Sequence, residues 1–592
     1  MAKYIDKPSK YNITPYVEVK NKNYKVTKGW IAIAAELNKT IIDLHKNKKK
    51  IVVVVETYQG IIHEEVMTNL KEKLHYDRFV HAEEFMLTEE EIKKLVYPDV
   101  TDDRVFGYLT RLEIDAFYDK TAVKEIRSEL EQTEKGIIVI YGTGAAYLCP
   151  DADLLIYADM ARWEIQLRMR QHKVDNIGVK NRNTPDAGLL YKQGFFVDWR
   201  VCDRLKKKLF DRWDYVLDTN KQGEPKLIEG EAVLEGLKIA AHQPFSVVPY
   251  FDAAPWGGQW MKEVCHLDPA AQNYGWCFNC VPEENSLLLK FGDDIIEIPS
   301  IDVVFRHPVE LLGDPVHARF GDEFPIRFDF LDTMEGGNLS LQVHPLTEYI
   351  QQKFGMHYTQ DESYYLMDAE EQAYVYLGLK EGVDSVQMLE ELEEAQREGD
   401  PFDAEKHVQR WPVKKHDHVL IPAGTVHCSG KNNMVLEISA TPYIFTFKLW
   451  DWGRLGLDGK PRPINIGHGR NVIQWHRTTK WTKNNLVNRI EKIAEGDGWE
   501  EERTGLHKRE FIETRRLWFS KKTEHCTGES VNVICLVEGE EIVVESPNHV
   551  FDPIIFHYAE VFIVPASVDR YTICPYGESE NKVCGIIKAY VR

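Results

Sequence analysis

The segment LSLQVHPLTEYIQQKFGMHYTQDESYY, residues 339–365, sets a few polar side chains into a strand-like run. Successive strand residues point to opposite faces, so Gln342 and His344, two apart, share a face and can reach one point inside a barrel. Glu362 opens a second strand-like run, ESYYLMD, and can offer a carboxylate from a neighbouring strand. Further on, VLIPAGTVHCSG places Pro422, Gly424 and His427 in a P-x-G-x-x-H pattern, where proline and glycine shape a tight turn that delivers the histidine from the following strand. Two imidazoles, one carboxylate and one amide oxygen leave a position for water or substrate, which suits a catalytic zinc at about 2.0–2.2 Å. Imidazole also accepts iron, cobalt or nickel, so zinc is a preference among metals. Taken singly, a strand histidine is more often a satisfied core or surface group, and P-x-G turns are common. The ordered combination is what points to a metal.

Outward from this segment, the texture changes near residue 240. Before it, buried apolar runs such as IVVVVE at 51–56 and GIIVIYG at 136–142 alternate with amphipathic stretches, as in an α/β sheet. After residue 245, short alternating strands are separated by turn-formers such as AAPWGG, MEGGN and CPYGESEN, which predicts an all-β sandwich or barrel. A helical interruption at about 380–408, EGVDSVQMLEELEEAQREGDPFDAEKHV included, reads as a pair of amphipathic helices with an acidic, solvated face. The expected division is therefore residues 1–242 as an α/β domain, 243–465 as a metal-binding β domain carrying the helical insert, and 466–592 as a C-terminal β domain.

Bulk composition bounds the function. A chain of 592 residues is too long for one core. No apolar run reaches the length of a membrane span, the start MAKYIDKPSKYNITPY lacks a signal-like stretch, and ten cysteines without regular spacing predict reduced thiols. A soluble, cytoplasmic protein is the expectation. The net charge of −21 disfavours nucleic acid and anionic membrane as partners, while leaving room for a local basic pocket that attracts a phosphorylated metabolite.

The strings QVHP, the glutamate eighteen residues beyond its histidine, PAGTVH, VLEI and LWDWGRLGLDGKPR together resemble type I phosphomannose isomerases, the zinc-dependent cupin enzymes. The resemblance begins near VVPYFDAAPWGGQW at 247–260 and weakens toward the C-terminus, covering somewhat over half the chain. It implies two cupin (jelly-roll) barrels, one zinc held by Gln342, His344, Glu362 and His427, and interconversion of the hexose phosphates mannose 6-phosphate and fructose 6-phosphate. Arg570 in AEVFIVPASVDRYTI stands where the first barrel has His427, so the second barrel is expected to be metal-free. Two departures stand out. The isomerases usually carry lysine two residues before the ligand glutamate, where this chain has Gln360, and Lys448 replaces the family's active-site arginine. Lys448 keeps the charge but loses the bidentate fork. His357, Lys353, Arg454 and Lys460 are candidates to compensate.

Candidate catalytic residues are thus Lys448, Glu437 and Arg454. Glu437, among Val435, Leu436 and Ile438, is a carboxylate whose pKa burial would raise, though an outward strand position explains it equally. For Arg454 the plainer account is stacking on tryptophans at the barrel rim. Trp256, Gly257 and Gly258 read as a plug and turn at one end of the first barrel, and Cys277 and Cys280 in CFNC as buried thiols.

In the N-terminal part, IVVVVE, a turn, IIHEEVMTNL, then RWEIQLRMR and DYVLDT resemble the layout of small nucleoside or metabolite kinases. The phosphate loop itself is missing: ETYQGIIHEE has only Gly60 and no lysine, and Glu56, Glu64 and Glu65 would repel a triphosphate. Gly142 and Gly144 in YGTGAAYL are too short a signal for a nucleotide site. A degenerate P-loop kinase-like domain serving as brace, dimer surface or sensor is the expectation, with Arg162, Arg168 and Arg170 as a possible site for a nucleotide or other anionic effector, or simply as a basic helix face. Three classes stay open: a zinc-dependent sugar-phosphate isomerase, a non-catalytic sugar-phosphate sensor or scaffold, and a fused sugar kinase and isomerase.

Overall fold

The computed structural model describes residues 3–5, 8–21, 23–398, 401–441, 445–455, 462, 464–505, 507 and 510–592. The run KIVVVVET becomes the strand Lys50–Thr57, buried almost throughout because it is central in a seven-stranded sheet. Across that sheet the strands are Thr27–Lys28, Lys226–Glu229, Tyr215–Asp218, Leu154–Asp159, Lys50–Thr57, Gly136–Gly142 and Arg78–His81. The last five are mutually parallel, and helices fill the crossovers, as continuous β-branched runs require. The topological switch, where α/β sheets usually take a ligand, lies beside Lys50–Thr57. Here Glu56 fills it: its carboxylate accepts the Gly144 N–H at 2.6 Å and the Ala146 N–H at 2.7 Å.

The β part forms two sandwiches. In the first, a six-stranded sheet runs His418–Ile421, Glu362–Ala369, Asn433–Ser439, Arg327–Asp332, Trp276–Cys280 and Tyr250–Asp252. Facing it is a five-stranded sheet of Val408–Pro412, Tyr374–Leu379, His427–Ser429, Leu341–Val343 and Phe447–Trp450. The helices Ser385–Glu398 and Ala404–His407 lie between strands 374–379 and 408–412, where the sequence predicts an insert. In the second sandwich, strands of a six-stranded sheet, Ile512–Phe519 and Cys584–Val591 among them, close over a four-stranded sheet around Phe519, Ile534, Val544, Phe562 and Ile573.

Two features cut across the expected domain limits. Tyr16–Glu18 pairs in parallel with Ser286–Phe291, so the N-terminal residues complete a sheet built from the β part. Residues just after 465 pack on the first sandwich: Arg477 donates to the carbonyls of Pro422 and Ala423 at 2.7 and 2.8 Å, bracing the turn that leads to His427. The α/β part is also bolted to the rest by buried ions. Arg162 bonds Asp203 at 2.6 Å and Glu283 at 2.7 Å, and Lys206 bridges Asp159 and Asp302 at 2.7 and 3.0 Å. Among the described residues no helix is long and apolar enough to cross a membrane.

Candidate metal centre

Gln342 and His427 are register partners in the five-stranded sheet, and Gln342 pairs with Lys448 on its other side. Directly opposed residues in a ladder point to the same face, so these three side chains form one row on the sheet. His344 follows the same strand, and Glu362 begins its strand in the opposing sheet. The sequence spacing therefore brings the ligand candidates from both sheets to one end of the sandwich. Ligand atoms of His344, Glu362 and His427 all lie within 4.8 Å of one another, and the three residues are buried. Nε2 of His344 is 3.1 Å from one carboxylate oxygen of Glu362, and Nε2 of His427 is 2.8 Å from the other.

The tautomers make this cluster informative. His344 Nδ1 donates to the Phe445 carbonyl and His427 Nδ1 to the Thr425 carbonyl, each at 2.9 Å. A neutral ring that donates through Nδ1 carries its lone pair on Nε2. Both Nε2 atoms thus face a carboxylate, an arrangement that calls for a proton or a metal ion between each ring and Glu362. Burial opposes charge on His344, yet Glu362 raises its pKa above the ordinary value. The converse holds for Glu362: burial opposes its ionisation, and the two imidazoles still hold it well below the usual range. The residues fit a metal, with carbonyls orienting the imidazoles in the way metal-binding histidines are usually held. The Gln342 amide nitrogen lies 3.3 Å from His427 Nε2, and a half-turn of that amide brings its oxygen to the same place.

Gln360 turns out to be the hub of the surrounding shell. Its amide donates to Glu362 at 2.9 Å and to Glu437 at 3.3 Å, while its oxygen accepts the Phe445 N–H at 2.6 Å. One buried side chain thus fixes the Glu362 carboxylate and the backbone that orients His344. Glu437 is buried, not outward. Burial, followed by the charges of Glu362 and Asp329, pushes its pKa well above the carboxylate range.

A cavity of about 400 Å³ opens on Gln342, Gln360, Glu437 and Lys448. Burial pushes Lys448 down to about 8, with Arg462 adding to the effect. Arg454 is not among the lining residues. Asp451 takes its guanidinium at 2.6 Å, which places it behind the wall, where its charge still acts on Lys448. Arg462 lines the wall instead, paired with the same Asp451 at 2.6 Å and donating to Ser340 at 3.2 Å. His357 pairs with Glu323 at 3.0 Å outside this chamber, Lys353 lies on the helix Thr347–Phe354, and Lys460 lies outside the described residues. Trp256 is buried and meets Trp276 edge-on at 5.3 Å, so it walls the chamber. Cys277 and Cys280 are buried in their strand.

The sequence reading missed the roof. Phe106, Gln166, Arg170 and Tyr191, all from the α/β part, line the same cavity. Phe106 stacks on Phe445 at 4.7 Å, next to the carbonyl that holds His344. Arg170 bonds Asp252 through both nitrogens, at 3.1 and 2.8 Å. Arg162 and Arg168 are buried rather than displayed on a basic face; Arg168 donates to the carbonyls of Gly60, Thr219 and Asn220. The spacing of RWEIQLRMR shows the arginines and the local Glu164–Arg168 pair, but not the partners from other elements: Asp203 on a later helix, Glu283, and Asp252 on a strand of the first sandwich.

Similarity to known proteins divides along the same line. A family described as "Domain of unknown function (DUF8485)" matches residues 29–242. Mannose-6-phosphate isomerase ManA of Bacillus subtilis is 25% identical over 237 residues, 39% of this chain and 68% of that protein. The mannose-6-phosphate isomerase of Streptococcus mutans is 25% identical over 220 residues, 37% of this chain and 64% of that protein. The crystal structure of the Bacillus subtilis mannose 6-phosphate isomerase superposes with a TM-score of 0.48 at 19% identity, over 59% of this chain and all of that one. The chain is homologous to mannose-6-phosphate isomerases over about 39% of its length.

Proposed function

We propose that the protein is a zinc-dependent aldose-ketose isomerase that interconverts mannose 6-phosphate and fructose 6-phosphate. The observation that carries this reading is the pair of Nδ1-anchored imidazoles aiming their Nε2 atoms at Glu362, beside a chamber that presents an amine, Lys448, and a carboxyl, Glu437. We also keep as proposals the cupin identity of both sandwiches, the ligand role of Gln342, the kinase-like ancestry of the α/β part and the three-part division at 242 and 465.

The reaction moves a proton between C2 and C1 of the sugar while the carbonyl changes place, so charge develops on the two oxygens. A zinc held by Gln342, His344, Glu362 and His427 would supply Lewis-acid stabilisation of that charge. Lys448 presents an ammonium from the row next to Gln342 and can hold an oxyanion or the phosphate without desolvating at the moment of reaction. Glu437 can take the carbon-bound proton as a carboxylate and return it to the neighbouring carbon, or donate a hydrogen bond to a sugar oxygen, as a carboxylic acid. Gln360 holds Glu437 and Glu362 in fixed relation. The walls of Trp256, Trp276 and Phe278, with the roof of Phe106 and Tyr191, exclude water around the sugar.

The test is turnover of mannose 6-phosphate by zinc-repleted protein, with the His344→Ala/His427→Ala double variant as blank. Turnover lost in the blank supports the isomerase. Zinc binding without turnover of either hexose phosphate turns the reading to a non-catalytic sugar-phosphate sensor, which Gln360 and Lys448, in place of the lysine and arginine of the resembled enzymes, favour. A fused kinase has the least support, because Glu56 occupies the backbone N–H groups at the sheet's switch point.

A further inference from the structure

A larger cavity, about 760 Å³, lies in the second sandwich, away from the candidate metal centre. In the strand CGIIKAYV, Cys584–Val591, the inward row reads Cys584, Ile586, Lys588. Lys588 is paired in register with Ile534, which belongs to the apolar core, so a lysine stands where a barrel of this kind has a hydrophobic residue. Burying an amine is costly unless it has a partner. Among the described residues the acidic oxygen within reach is Glu501 Oε1, at 3.9 Å, too long for a hydrogen bond.

The register neighbour of Lys588 adds a second cation rather than a counter-charge. Arg515, its register partner across the sheet, is engaged by Glu513 at 2.6 Å. Around the cavity stand five cationic side chains, Arg319, Arg515, Lys522, Lys588 and Arg592, against three acidic ones, Glu501, Glu524 and Glu529. That balance is opposite to the −21 of the whole chain. Burial, with Lys588 beside it, pushes His525 down to about 3, so this ring is neutral and cannot serve as a further cation. Trp499, Leu517 and Tyr590 add apolar and aromatic wall. Arg515 and Lys522 are paired with Glu513 and Glu545, each at 2.6 Å, which leaves Lys588 as the buried cation without a hydrogen-bonded carboxylate among the described residues, and a recess with such a cation attracts small anions.

We propose that the second sandwich is a separate binding site for a small organic anion, whose phosphate or carboxylate group meets Lys588 and Arg515 while its body lies against Trp499 and Tyr590. This site stands apart from the isomerase reading and does not depend on it. The test is calorimetric titration of the full-length zinc-loaded protein with inorganic phosphate, glucose 1-phosphate and gluconate, which separates phosphate from carboxylate recognition. At least one probe is expected to bind with Kd below about 1 mM, at least about tenfold more weakly to Lys588→Met, and equally well to Lys39→Met, an exposed lysine of the helix Trp30–His45 in the α/β part. Glu501→Gln removes a competing negative charge and is expected to tighten the same probe, a gain that decides the matter should Lys588→Met fail to fold by circular dichroism. The proposal is overturned if no probe binds below about 10 mM, if binding is unchanged in Lys588→Met, or if it is lost in Lys448→Met instead.

Discussion

Replacing Gln360 by leucine tests the proposed metal centre through a residue that would not touch the metal. The carboxamide is 2% exposed and makes three hydrogen bonds, to Glu362, to Glu437 and from the Phe445 N–H. Leucine has similar bulk, so the packing survives and the polar losses can be read. The Phe445 N–H is left buried without a partner, which costs about 1–3 kcal/mol of folding stability. Glu362 loses the donor to the oxygen that faces His344, and the segment whose carbonyl orients His344 loses its anchor. Losses of this kind reduce metal affinity by about 10- to 100-fold, or about 1.4–2.7 kcal/mol. Gln360→Lys, which installs the residue of the resembled isomerases, keeps a donor to both carboxylates but cannot accept from Phe445, and its loss is expected to be smaller. Zinc affinity is measured by competition with a chromogenic chelator, and folding by urea titration of the zinc-free protein. A leucine variant that folds and binds zinc within about twofold of wild type would refute the claim that this amide organises the centre.

Four further outcomes are expected. Lys448→Met should lower kcat/KM for mannose 6-phosphate by about 10²–10³-fold with zinc affinity retained, and Lys448→Arg should restore part of it; equal rates in all three proteins would remove Lys448 from the mechanism. Tyr191→Ala, in the roof, should raise KM several-fold with kcat nearly unchanged, as expected for a group that binds substrate and transition state alike; a purely structural roof would instead change stability and leave KM alone. Burial raises Glu56 to about 8 from an ordinary 4.5, against the pull of two backbone N–H groups. A carboxyl raised on folding contributes stability that is full below pH 4.5 and lost as pH rises through 8, here by a few kcal/mol; Glu56→Gln should flatten urea stability against pH in that window, and parallel curves would contradict the assignment. Lys206→Met leaves Asp159 and Asp302 facing each other without a cation and should cost about 3–5 kcal/mol in urea unfolding, whereas a change below 1 kcal/mol would show that water reaches the pair.

The legible part of this chain was the part written in short-range pattern. The alternation of LSLQVH puts Gln342 and His344 on one face, P-x-G-x-x-H announces a turn into His427, and the IVVVV run can only be a strand buried on both sides. Such signals work because the side-chain period of a strand is fixed by backbone geometry, whatever the rest of the chain does. Gln360 read as a lost lysine until its three hydrogen bonds were visible, and neither the pairing of Arg454 with Asp451 nor the place of Arg462 in the chamber wall could be read from the spacing.

By itself, then, the sequence determined the α/β and β textures, the ligand candidates and the absence of a phosphate loop. Only the tertiary structure decided that Glu56 occupies the switch point, that Arg162 and Arg168 are buried ions, that Phe106 and Tyr191 roof a chamber whose walls come from the later β part of the chain, and that Lys588 stands in a second cavity with Glu501, at 3.9 Å, as the acidic group in reach among the described residues. The physical reason is that a charged or aromatic side chain takes its role from what desolvates and pairs it. Those partners are set by long-range packing, which no local pattern encodes.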